Sequence, residues 1–133
     1  MADNHIRSAP CHTERTAGGT TVVELRGEID ILTAPAVAAR LDAVTAGPCP
    51  DLVLDLRPVS FIDCAGLGLL CRARNRTVAR GGRLRLVTDS ACFRRILRGT
   101  LLSGVFEVYA HLSEARVPEE TGTVPGGRRA PTG

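Results

Sequence analysis

Short runs of apolar and β-branched residues alternate in this sequence with longer segments whose apolar residues recur at helical spacing. Residues 20–27 begin with Thr-Thr-Val-Val, and residues 52–56 read Leu-Val-Leu-Asp-Leu, which is typical of a buried strand. Between these runs, Val37, Leu41 and Val44 follow the i, i+4, i+7 pattern of one helical face. Strands that alternate with helices predict an α/β layer fold, with a largely parallel sheet after an initial hairpin.

Turn and capping residues set the predicted bounds of the elements. The predicted strands are a hairpin of residues 11–16 and 20–27 around Gly18 and Gly19, followed by strands at 52–56, 83–87 and 105–108. The predicted helices run from a Thr33 cap to Gly47, over 65–79, from a Ser90 cap to about Gly99, and over 112–116.

The same periodicity predicts which side chains are buried. Alternation of Arg and Leu over 83–86 predicts a strand with one face in solvent. Cys92, which lies beside apolar residues of the third helix, is expected to be a small core side chain. The buried stripe of the second helix is expected to consist of Leu67, Leu70, Cys71 and Val78.

Composition divides the chain of 133 residues into one domain with two polar ends. Residues 1–10 have no apolar periodicity, and residues 117–133 are rich in Pro, Gly and Thr without an apolar face. We therefore expect a flexible N-terminus at 1–10, a domain at 11–116 and a disordered C-terminal tail at 117–133. Aromatic residues make up only 3% of the chain, so the core must be aliphatic.

Several classes of protein are disfavoured by charge and cysteine usage. The net charge is only +3 and few aromatic side chains are available for base stacking, so no nucleic-acid partner is expected. Membrane insertion is not expected, because no run approaches the ~20 apolar residues that a membrane span needs. Five cysteines without a CxxC pair and three scattered histidines predict reduced thiols, a cytoplasmic location, and no metal or other cofactor.

Residues 59–68 are the most informative segment, because they join a strand-like run to the start of the second helix. Asp63 is placed to cap that helix, whose free backbone amides favour a negative charge. The same residues also fit an ordinary capped turn without a functional role. A dinucleotide-binding loop is not supported, since Cys71 stands where the third glycine of that motif is needed.

The segment 61–68, Phe-Ile-Asp-Cys-Ala-Gly-Leu-Gly, resembles the signature loop of STAS domains of the anti-sigma factor antagonist family. Residues 25–30 with Thr-Ala at 33–34 are similar to the first characteristic block of that family. Residues 81–84 and the strand after them match the region that follows the long helix. The resemblance spans residues 20–115, and it implies a single STAS-like domain with a four- to five-stranded mixed sheet flanked by about four helices.

The resemblance also implies a function without catalysis and without a cofactor. Family members bind an anti-sigma factor, often a serine kinase, and thereby release a sigma factor. Phosphorylation of the serine that precedes the loop glycine abolishes this binding. By position, the implied partner-binding residues are Asp30, Asp63, Cys64, Ala65, Gly66 and Leu67.

The sequence departs from the family pattern at the phosphoacceptor position, where Ala65 has no hydroxyl group. The usual phosphorylation switch cannot operate there, so the protein binds constitutively, is regulated elsewhere, or has another partner. Ser60 is a nearby hydroxyl, and Cys64 could have a redox role. The alternative functions are a STAS-fold subunit of a lipid-transport or stress-sensing assembly, and a small enzyme or nucleotide binder.

Overall fold

The computed structural model describes residues 12–100, 102 and 104–115, and these residues form seven strands and three helices. The strands are β1 (His12–Ala17), β2 (Thr20–Leu25), β3 (Gly27–Ile29), β4 (Asp51–Asp55), β5 (Val59–Ile62), β6 (Arg83–Val87) and β7 (Glu107–Tyr109). The helices are α1 (Ala34–Val44), α2 (Cys64–Ala79) and α3 (Ala91–Gly99).

The strands form a five-stranded sheet in the order β1-β2-β4-β6-β7 and a separate two-stranded sheet of β3 and β5. β1 and β2 are antiparallel, whereas every other pair is parallel. Gly18 and Gly19 join β1 to β2 with φ angles of 61° and 87°, which glycine adopts without steric cost. The predicted α/β fold with a hairpin followed by parallel strands is confirmed.

The core is mainly aliphatic, as the composition predicts, although Phe93 and Phe106 are also buried in it. It fills the space between one face of the large sheet and the helices. Its fully buried side chains include Val23, Leu25, Leu52, Leu54, Leu70, Leu86 and Leu97. A smaller cluster on the opposite face contains Val22, Val53, Val87 and Ala115. Burial of each large aliphatic side chain contributes roughly 1.5–3 kcal/mol, so these two clusters hold the layers together.

The prediction that β6 has one solvated face is wrong. Arg85 is buried, and its guanidinium donates hydrogen bonds to the Asp51 carboxylate and the Ala115 carbonyl. β6 lies between β4 and β7, and the cluster with Ala115 covers the face that was expected to be open. A buried arginine is tolerated there because acidic and carbonyl oxygens replace water around it.

The buried stripe of α2 is also displaced from the predicted one. Val78 is exposed, whereas Leu69, Ala73 and Thr77 are buried together with the correctly predicted Leu70. Arg72 and Arg76 of this helix face α1, where Arg72 bonds the Asp42 carboxylate at 2.9 Å and Arg76 lies 3.3 Å from it. This hydrogen bond holds the pKa of Asp42 below its ordinary value.

Smaller corrections concern the end of the chain and one cysteine. Residues 112–115 form consecutive turns where a short helix was predicted, and residue 116 lies outside the described residues. Cys92 lies in the first turn of α3 and is exposed, whereas Phe93 and Leu97 of the same helix are buried. The predicted terminal segments 1–10 and 117–133 lie outside the described residues. Within the described ranges, no helix has the length and apolar character needed to cross a bilayer.

Candidate functional site

The small sheet brings the two candidate segments of the sequence together. β3 and β5 are parallel and in register at their ends, so that Ile29 lies opposite Ile62. The backbone N–H of Asp63 donates to the carbonyl of Ile29 at 3.2 Å. The turn that begins at Asp30 and the loop that begins at Asp63 are therefore neighbours at the carboxyl end of this sheet.

Asp63 caps α2, as predicted. Its Oδ1 accepts a hydrogen bond from the Gly66 N–H at 3.0 Å, and its carbonyl accepts one from the Leu67 N–H at 2.9 Å. Its backbone is extended, with φ −109° and ψ −168°, as is usual for an N-cap residue. The negative charge that a helix N-terminus favours is thus supplied by the chain itself.

Gly66 is buried and allows α2 to pack directly on the ends of β3 and β5. A Cβ atom at this position would lie 2.5 Å from the Ile29 carbonyl oxygen and 2.5 Å from Ile62 Cγ1. Both distances are far below van der Waals contact, so the helix start can approach this closely only with glycine. Gly66 therefore positions the loop from a buried place in the first turn of α2.

The Asp30 turn is held by its own side chain. Asp30 Oδ1 accepts hydrogen bonds from the N–H groups of Leu32 at 3.0 Å and Thr33 at 3.1 Å. The Thr33 hydroxyl donates to the Glu28 carbonyl at 2.9 Å and makes no capping bond to α1. The predicted side-chain cap from Thr33 is wrong, because its hydroxyl is bonded back to β3. These bonds fix the turn next to the loop.

The remaining predicted residues lie in the first turn of α2 and differ in exposure. Cys64 is exposed, Ala65 is partly exposed, and Leu67 is partly buried against the core. A side chain at position 65 therefore points where a partner could contact it. All six residues predicted as a binding site lie within this one region, with Asp30 and Asp63 holding the backbone and Gly66 underneath.

Three large apolar side chains in this region were missed by the sequence analysis. Ile31 is 72% exposed, Leu32 is 83% exposed and Phe61 is 52% exposed. Ile31 and Leu32 lie in the Asp30 turn, and Phe61 lies in β5. The available signal was the placement of two adjacent aliphatic residues between the predicted strand at 20–27 and the predicted helix that begins at Thr33, a connection in which polar residues are usual. We call residues 30–32, Phe61 and 63–67 together the turn–loop surface.

The turn–loop surface contains no cluster of metal-binding side chains. Over residues 12–100, 102 and 104–115, no group of three or more His, Cys, Asp or Glu side chains is close enough to hold a metal ion. The carboxylates of Asp30 and Asp63 are engaged with backbone N–H groups. What the surface offers chemically is three exposed apolar side chains on a backbone that these hydrogen bonds hold in place.

Comparisons with known proteins agree on one family. Residues 13–115 match the family model of the STAS domain. The anti-sigma-F factor antagonist RsfB of Mycobacterium tuberculosis is 31% identical over 97 residues, which cover 73% of this chain and 79% of RsfB. The crystal structure of an anti-sigma factor antagonist from Mycobacterium paratuberculosis has a TM-score of 0.72 at 32% identity, covering 79% of this chain and 89% of that one.

A more distant structural match is the phosphorylated form of the Bacillus cell fate determinant SpoIIAA. It has a TM-score of 0.62 at 23% identity and covers 79% of this chain and 96% of SpoIIAA. This likeness concerns the fold alone.

Proposed function

The chain belongs to the STAS domain family, and on that premise we propose that it is a non-catalytic anti-sigma factor antagonist. In this role it binds an anti-sigma factor of the serine-kinase type in the cytoplasm and so releases a sigma factor. Two relatives above 30% identity carry the name of anti-sigma factor antagonist. Their similarity covers 73% and 79% of this chain.

The observation that carries the proposal is the exposure of Ile31 and Leu32 on a turn that is fixed beside the α2 loop. Their exposed fractions of 72% and 83% leave most of each residue in water. Full burial of such a side chain contributes roughly 1.5–3 kcal/mol. Since the fold does not bury them, this free energy is available to a complex. Charged groups beside them, Asp30 and Asp63, match the polar rim that surrounds the apolar centre of an interface.

We further propose that this protein has lost the phosphorylation switch of its family. Ala65 lies at the position that the family resemblance assigns to the phosphoacceptor serine, and it cannot accept phosphate. A phosphate at this point would add a charge of about −1.5 to −2 next to Asp63 and an apolar contact surface. Without a phosphate at position 65, the charge of the turn–loop surface does not change, so the surface stays competent to bind.

The test is a binding measurement with purified proteins. Titration of the purified serine-kinase anti-sigma factor of the same organism with this chain should give a saturable complex, and should restore sigma-dependent transcription. Leu32→Asp should weaken binding by at least about tenfold, because it places a charge at an apolar contact. Leu32 makes little contact within the domain, so the variant should keep the unfolding midpoint of the wild type.

Val78→Asp is the matched control. Val78 is 51% exposed on the same domain but lies fourteen residues after Cys64 in α2, about 20 Å along the helix axis. The Val78→Asp variant should bind the anti-sigma factor with the same affinity as the wild type. Equal binding by Leu32→Asp and the wild type would place the contact elsewhere, and a wild type that does not bind would refute the antagonist function.

A further inference from the structure

A second apolar feature lies beside the turn–loop surface, in the space between β5 and α3. It is a pocket of about 190 Å³, which we call the β5–α3 pocket. Its lining residues are Leu56, Val59, Ser60, Phe61, Ile62, Thr88, Ser90, Cys92, Phe93 and Ile96. None of these side chains is charged, and most of them are apolar. A depletion of charged residues of this kind is typical of the centre of a protein–protein interface.

The pocket runs along an open edge of β5. All four residues of this strand, 59–62, line it, although alternate side chains of a strand point to opposite faces. Among the described residues, β5 pairs with β3 alone, so its other edge borders the pocket. The strand therefore presents both its side chains and an unpaired backbone edge to a binding partner.

The pocket is continuous with the turn–loop surface. Phe61 belongs to both, and Ile62 is followed directly by the capping residue Asp63. A standard interface covers about 800 Å² on each partner, which is far more than the first turn of one helix can provide. A partner seated on Ile31, Leu32 and the α2 loop would thus reach over Phe61 to the pocket.

The volume decides what kind of occupant fits. Pockets for cofactors and drug-sized molecules usually measure about 300–1,000 Å³, so 190 Å³ is too small for them. It suits one large apolar side chain. Apolar and aromatic anchors that fill such pockets near an interface centre contribute most of the binding free energy in protein complexes.

We propose that the β5–α3 pocket receives one bulky apolar side chain of the anti-sigma factor and is the main affinity anchor of the complex. This inference rests on the proposed function and adds to it a contact that lies outside the phosphoacceptor loop. The side chain of the anti-sigma factor would cover Phe61 and Ile96. It would enter the pocket past Cys92, whose thiol is exposed at the first turn of α3.

Filling the pocket from within tests the inference. Cys92→Trp should occupy the pocket with its own indole and raise the Kd for the purified anti-sigma factor by about thirtyfold or more, the effect of losing a binding hot spot. Cys49→Trp is the control. Cys49 is also exposed, but it lies before β4 and does not line the pocket. Its N–H donates to the Arg80 carbonyl at the far end of α2. We expect its Kd to stay within about twofold of the wild type.

A second measurement on the wild-type chain covers the case in which Cys92→Trp fails to fold. The rate of N-ethylmaleimide addition to each thiol is followed by peptide mass spectrometry, with and without the anti-sigma factor. Bound anti-sigma factor should slow addition at Cys92 by at least about tenfold and leave Cys49 unchanged.

The possible outcomes distinguish a failure of this inference from a failure of the proposed antagonist function. If the wild type binds while Cys92→Trp binds equally well, or while Cys92 stays as reactive as before, the pocket is not the anchor and the antagonist function stands. If the wild type itself does not bind the anti-sigma factor, the function is refuted and the anchor with it.

Discussion

Replacement of Gly66 by alanine probes the contact that positions the turn–loop surface. The added Cβ would meet the Ile29 carbonyl oxygen and Ile62 Cγ1, each at 2.5 Å. The carbonyl belongs to the backbone of β3 and cannot rotate away. Relief therefore requires that the start of α2 move outward from both strands of the small sheet.

The expected magnitude follows from two opposing terms. Overpacking in a filled site costs about 1–3 kcal/mol, and the two short distances at Gly66 place it near 3 kcal/mol. Alanine is favoured over glycine in a helix by about 1 kcal/mol, which offsets part of that cost. We expect Gly66→Ala to lower the free energy of unfolding by about 2 kcal/mol, equivalent to a fall in Tm of about 10 °C for a domain of this size.

Gly68→Ala is the matched control on the same helix. No atom lies within 4 Å of a Cβ atom built at Gly68, so only the helix-propensity gain of up to about 1 kcal/mol should remain. Both variants can be compared by urea unfolding followed by far-ultraviolet circular dichroism. A Gly66→Ala protein as stable as the wild type would refute the close packing of α2 on the small sheet.

Two further predictions concern charge. Ala65→Ser should bind the anti-sigma factor like the wild type and become phosphorylatable, whereas Ala65→Glu should bind at least about tenfold more weakly by calorimetry, because it adds a negative charge near Asp63. Arg72 lowers the pKa of Asp42 in the folded protein below its ordinary value of 3.8. A lowered folded-state pKa contributes stability that is present above the unfolded-state pKa and is lost as the pH falls through the folded-state pKa. The difference in unfolding free energy between the wild type and Asp42→Asn should therefore shrink between about pH 5 and about pH 2; a constant difference would contradict this ion pair.

The parts of the fold that local sequence encodes could be predicted. Gly18 and Gly19 specify the hairpin turn, and Ser90 accepts the Phe93 N–H at 3.0 Å as a helix cap should. β5 was missed because it is four residues long and is stabilised by pairing with β3, about thirty residues earlier. The burial of Arg85 depends on Asp51, which lies 34 residues away, so alternation alone predicted a solvated face.

The candidate site shows the same division between local and distant causes. The Asp63 cap was predicted, because the capping residue and its target are three positions apart. The exposure of Ile31 and Leu32 was not, since apolar residues are assigned to the core unless the packing of other elements leaves them outside. The β5–α3 pocket is formed by segments that are distant in sequence, and no local pattern reports it.

We propose above that the turn–loop surface binds an anti-sigma factor and that phosphorylation cannot switch this binding off. The direct measurement is to incubate the wild-type chain with the purified serine-kinase anti-sigma factor and ATP, and to record both the phosphate content by mass spectrometry and the Kd. We predict no phosphate on residues 63–67 and the same affinity before and after incubation. Stoichiometric phosphate on a nearby hydroxyl such as Ser60, accompanied by loss of binding, would contradict the claim.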